Sequence, residues 1–178
     1  MAGPELEALR AAIPEAAKDI RLNLEAVLQP GTLSAPQRWL VSLASAFAAR
    51  NARLSAAVTA EARAAGIGEE LIDDARAAAT LMAMNNVFYR FRHVVGKPSY
   101  GDRPARLRMN RLARPSGTRA DLELACLAVS AINGCETCVR SHEAAVLEGG
   151  LTEEHVHDAI RIAATIHAAA VSLELDRA

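Results

Sequence analysis

Residues 118–150 read TRADLELACLAVSAINGCETCVRSHEAAVLEGG, and the fold is decided here. Apolar residues recur at three- and four-residue spacing on both sides of Asn133-Gly134, the period of a helix rather than of a strand. Thr118 followed by Asp121 reads as a helix start, Asn133-Gly134 as a break, and Gly149-Gly150 as a stop. The stretch is therefore predicted to hold one helix from Thr118 to about Ile132 and a second reaching about Glu148, reversing direction between them.

The same punctuation extends outward. A helical region near 4–28 is predicted, interrupted at Pro14 and ended by Gln29-Pro30-Gly31. Ser34 with Gln37 has the form of a capping box opening a helix to about Arg50. Helices follow over about 53–65, stopped at Gly66, and over about 69–93. The Pro- and Gly-rich stretch from Gly96 to Gly117 reads as loop with one short helical turn. Thr152 opens a last helix to near Leu175. No stretch alternates with period two, so the chain is predicted to be all-α, a single domain over 1–178.

Composition supports this reading. Ala is abundant and aromatics make up 3% of the chain, which favours closely packed helices over sheets. With 178 residues a core can form without a disulfide or a metal staple. The net charge of −1 gives no reason to expect nucleic acid or an anionic membrane. No run approaches the roughly 20 apolar residues of a membrane span. The start MAGPELEALRAAIPE has no apolar signal-like region, so a cytoplasmic location is expected.

The sequence also matches itself at an offset of 84 residues. Leu43-Ala44 falls on Leu127-Ala128, Gly66 on Gly150, Glu69-Glu70 on Glu153-Glu154, and Asp74-Ala75 on Asp158-Ala159. This predicts an internal duplication, a first half-repeat over about 35–95 and a second over about 118–178. Asn51, Leu54 and Val58 then stand where the second copy has Cys135, Cys138 and His142, which makes the second half the chemically active one.

On a helix, positions 135, 138 and 142 share one face. Cys135 and Cys138 fall in the first turn after the break, where unpaired amides and the helix dipole favour a thiolate. Glu123 lies on the preceding helix and a hairpin brings it to His142, where a carboxylate orients an imidazole. A carboxylate, a histidine and a dithiol suit thiol-disulfide exchange and peroxide reduction. Two other readings of the cysteines stay open: buried packing residues, or zinc ligands with His142 and one of His155, His157 or His167, although the usual finger spacings are missing. Cys126, one turn from Glu123, reads as core filler. His93, His155 and His157 read as surface or packing residues. The Arg-rich stretch 90–119 lacks stacking aromatics and reads as a solvated face or a docking surface for an acidic partner.

The order Glu123, Cys135, Cys138, His142 resembles the active-site motif of the alkyl hydroperoxide reductase AhpD family, within the wider carboxymuconolactone decarboxylase-like fold. The stretches PEAAKDIRLNLEAVL, MNNVFYRF at 84–91, LRMN at 107–110 and AVSAING at 128–134 are similar to that family too. The resemblance implies an all-helical homotrimer acting as a thiol-dependent peroxidase with no bound cofactor or metal. It implies that a dihydrolipoyl group on a lipoylated dehydrogenase-complex subunit supplies electrons, and that the peroxiredoxin AhpC is regenerated. By the same resemblance Cys138 forms the sulfenic acid or mixed disulfide, Cys135 is the proton donor and resolving thiol, and His142 with Glu123 forms the relay. The residue before the second cysteine is Thr137, whose hydroxyl cannot take up a proton near neutral pH, so the relay is expected to run more directly through His142. A disulfide-relay adaptor without peroxidase turnover, or a decarboxylase-like enzyme of the same fold, are the alternatives.

Overall fold

The computed structural model describes residues 3–175. The helices are α1 (Pro4–Ala11), α2 (Lys18–Val27), α3 (Ala35–Ala49), α4 (Ala52–Ala64), α5 (Glu69–Val95), α6 (Pro98–Gly101), α7 (Arg119–Ile132), α8 (Glu136–Glu148) and α9 (Glu153–Leu175), with 3-10 turns at Glu15–Ala17 and Asn110–Ala113. No strand occurs among the described residues. The chain is all-α, as its periodicity predicts. The linker before α7 holds two short helical segments, α6 and the turn at Asn110–Ala113, where the sequence suggested one.

The caps explain the helix starts. Ser34 and Gln37 form the reciprocal capping box, with Gln37 N–H donating to Ser34 Oγ at 3.4 Å and Ser34 N–H to Gln37 Oε1 at 3.0 Å. Thr118 Oγ1 accepts from Asp121 N–H at 3.1 Å and opens α7. At α9 the reciprocal partner is His155, whose Nδ1 lies 3.2 Å from Thr152 N and 2.9 Å from Thr152 Oγ1. His155 therefore closes a helix end, a role beyond the surface or packing one expected for it.

The centre of the fold is the group α3, α5, α7 and α9, with α4 on α3, α8 on α7 and α5, α1 on α4, and α2 on α9. Every residue of α3 from Leu40 to Ala46 is buried, and so is every residue of α7 from Leu124 to Ser130. Helices buried all round are core helices. Burying each large side chain among them, such as Leu40, Leu43, Leu124 and Leu127, stabilises the fold by roughly 1.5–3 kcal/mol.

Several contacts and turns stand 84 residues apart. Gln37 donates to Asp121, its own counterpart 84 residues on, at 2.7 Å. Gly66 and Gly150 end α4 and α8 with φ of 82° and 89°, while Arg50 and Gly134 precede those helices with φ of 59° and 65°. Asp74 of α5 accepts Ser116 N–H at 2.7 Å, and Asp158 of α9 accepts Thr32 N–H at 3.1 Å. Each aspartate thus holds the loop that leads into the other half's first helix, and the two halves are interlocked.

Candidate active site

The turn at Asn133-Gly134 is built before the chemistry is placed. Asn133 is αR, Gly134 left-handed and Cys135 extended, so Cys135 becomes the N-cap of α8. In the first half Asn51 holds the equivalent position, and its side chain accepts Leu54 N–H at 2.8 Å. No side-chain cap is made by Cys135. The amide of Cys138, which corresponds to that of Leu54, stands at the positive end of α8 without a side-chain cap.

Cys135 and Cys138 are joined as a disulfide, their Cα atoms 5.3 Å apart. Cys135 is fully buried, whereas Cys138 keeps 6% of its surface exposed. Cys138 is the more exposed of the two. Thr137 and Glu136 are exposed beside it, and Glu136 pairs with Arg140 of α8 at 2.7 Å and with His93 of α5 at 3.6 Å.

The α7–α8 hairpin brings Glu123 to His142, with Oε2 2.7 Å from Nδ1. A carboxylate only accepts, so Nδ1 carries the hydrogen. The hydrogen bond from His142 holds the Glu123 carboxyl below the usual glutamate range, against the opposing effect of partial burial, and Arg119 at 3.6 Å acts in the same sense. On the other side of the ring, Nε2 lies 3.2 Å from the sulfur of Met82.

Met82 was not foreseen. It belongs to a face of α5 that backs the whole site: Asn86 donates to Ser130 Oγ and accepts from Asn133, both at 2.9 Å, and Arg90 donates to the Asn133 carbonyl. Asn86 is 1% exposed. The signal was present in MNNVFYRF, where two amides stand in the middle of a helix that disfavours them. Asn85 donates to the sulfur of Met109 at 2.9 Å, tying that stretch to LRMN.

Cys126 is buried at 1% exposure, and that burial, with the negative charge of Glu123, pushes its thiol up out of the reactive range. It takes no place beside the disulfide pair. Among the described residues no three His, Cys, Asp or Glu side chains converge in a way that would hold a metal ion. No helix among them is long and apolar enough to cross a membrane.

Residues 98–176 match the model of the carboxymuconolactone decarboxylase family. The chain is 65% identical over 170 residues to an alkyl hydroperoxide reductase AhpD of Anaeromyxobacter sp. (strain K), covering 96% of this chain and 91% of that protein. It is 49% identical to one from Solibacter usitatus (strain Ellin6076), covering 97% of each, and 46% identical to one from Methylobacterium sp. (strain 4-46), covering 97% and 98%. The chain belongs to the AhpD family of alkyl hydroperoxide reductases.

Proposed function

We propose that this protein reduces hydroperoxides with the Cys135–Cys138 dithiol. The observation that carries the reading is a pair of cysteines three residues apart at an uncapped helix start, Cys135 fully buried and Cys138 slightly exposed, on the helix that also carries the Glu123-bound His142. The Cys138 thiolate attacks the terminal peroxide oxygen; the alcohol leaves with one proton, and a sulfenic acid remains. Cys135 then attacks the Cys138 sulfur and expels water, closing the disulfide, so each turn converts one hydroperoxide and two thiols to an alcohol, water and a disulfide. Glu123 holds His142, which accepts and returns the proton.

A dihydrolipoyl group on a lipoylated dehydrogenase-complex subunit reopens the disulfide, and the reduced dithiol passes its electrons to the peroxiredoxin AhpC in the cytoplasm. Resemblance to the AhpD family supports these partners, and it supports a homotrimer. The exposed apolar side chains Val87, Phe91 and Val94 on α5 and Val171 and Leu175 on α9 also favour assembly.

Peroxide consumption driven by dihydrolipoamide, measured with and without AhpC, tests the reading. Turnover without AhpC that disappears in Cys138→Ser is expected. Turnover only when AhpC is present favours a disulfide-relay adaptor, and no thiol-dependent consumption in either case overturns the proposal.

A further inference from the structure

The thiol site lies on the α7–α8 hairpin, and the counterpart of that hairpin in the first half is α3–α4. There the chain has Arg38 and Trp39 where, at the same 84-residue offset, the second half has the buried Leu122 and the relay carboxylate Glu123. Over this pair, under α1 and α2, lies a cavity of about 240 Å³ whose walls include Leu6, Leu24, Leu28, Trp39 and Arg38.

The charges around it are accounted for with one exception. Arg10 pairs with Glu7 at 2.9 Å and with Glu25. Glu61 accepts the amides of Gly3, Glu5 and Leu6 at 2.9, 3.0 and 3.3 Å and so caps α1. Arg38 donates from Nη1 to the Leu33 carbonyl at 3.3 Å, and its Nε is buried with no hydrogen-bond partner. In an adjoining cavity that Arg38 also lines, Asp158 is taken up by Arg161 at 3.0 Å and by the Thr32 amide at 3.1 Å. A buried guanidinium nitrogen without an acceptor is costly. The equivalent position in the second half is filled by leucine, so the fold itself has no need of an arginine there.

The geometry points to a binding site for a small monocarboxylate with an apolar body, its carboxylate on Arg38 and its body against Leu6, Leu24, Leu28 and Trp39. A guanidinium matches a carboxylate in shape and charge. At about 30 Å³ for each water-sized unit, the cavity has room for roughly eight heavy atoms, the size of hexanoate. The site shares no residue with the disulfide, and the inference stands apart from the peroxide reading.

Trp39 is the single tryptophan of the chain, so its emission reports the cavity directly. Titration of the whole protein with hexanoate, 1-hexanol and hexylammonium tests the assignment. Hexanoate is expected to shift Trp39 emission saturably and to bind on the order of tenfold tighter than the alcohol, as one charge-assisted contact provides, with the cation weakest. Arg38→Met is expected to remove that preference while thiol-driven peroxide turnover is unchanged. Should that variant not fold, the wild-type series decides alone. Hexanol binding as tightly as hexanoate, no saturable change with hexanoate, or full carboxylate preference in a folded Arg38→Met protein overturns it.

Discussion

Nε2 of His142 lies 3.2 Å from the sulfur of Met82 while the disulfide is closed, so the ring is held between a thioether and the Glu123 carboxylate. Glu123 fixes one edge of the ring and the fully buried Met82 the other. Replacing Met82 with leucine conserves volume at a fully buried position and is expected to cost less than about 1.5 kcal/mol in stability. Without the thioether the ring is held less firmly, so alkylation of Cys138 in the reduced protein is expected to slow at neutral pH. An unchanged alkylation profile would mean that Met82 only packs.

The exposure difference between the two cysteines gives a second prediction. In the reduced native protein, iodoacetamide is expected to modify Cys138 first and Cys135 slowly, and to leave Cys126 untouched until the chain unfolds, because burial pushes the Cys126 thiol up. Cys135→Ser should accumulate a sulfenic acid or mixed disulfide at Cys138, and Cys138→Ser should be inactive. Mass spectrometry of the labelled peptides distinguishes the sites; early labelling of Cys126 would contradict the burial argument.

Much of this arrangement was legible in the sequence because it is local. Cys138 and His142 are four apart on α8 and so share one of its faces, Cys135 stands at the N-cap just before it, and Asn133-Gly134 forces the hairpin that delivers Glu123 to within 2.7 Å of the imidazole. The capping box at Ser34 and the offset that superposes Gly66 on Gly150 are likewise short-range or self-referential signals. Met82 and Asn86 were hidden because their partners lie 60 and 44 residues away, on helices whose rotation about their own axes no periodicity specifies. In the Arg-rich stretch most arginines are exposed, as a solvated face requires, while the pairing of Arg111 with the buried Asp74 of α5 and the bond from Arg90 to the turn before Cys135 are long-range contacts of the same hidden kind.

Glu123 carries a pH signature. Its folded-state carboxyl is held below the ordinary value near 4.3, by the His142 hydrogen bond first. Such a group contributes stability above the unfolded-state value and loses it as pH falls through the lower folded-state value. Glu123→Gln is therefore expected to be less stable than the wild type at pH 7, by about 1–2 kcal/mol, with the gap closing as the pH falls below about 4.3. Urea unfolding of both proteins across that range measures it. A gap independent of pH would show that the pair contributes through packing and not through charge.

The interlocking aspartates allow a comparison within one chain. Asp74 is 1% exposed in its side chain and holds Arg111 together with the Ser116 and Gly117 amides, whereas Asp158 is 20% exposed and holds Arg161 and the Thr32 amide. Removing a buried carboxylate leaves its donors unsatisfied, while removing a partly exposed one lets water replace it. Asp74→Ala is expected to destabilise by about 2–4 kcal/mol, and Asp158→Ala by about 1 kcal/mol. Because Asp74 secures the loop entering α7, its loss should also slow reduction of the Cys135–Cys138 disulfide by dihydrolipoamide, and Asp158→Ala should leave that rate near wild type. Thermal unfolding with disulfide-reduction kinetics separates the two effects, and equal losses at both sites would refute the assigned difference in burial.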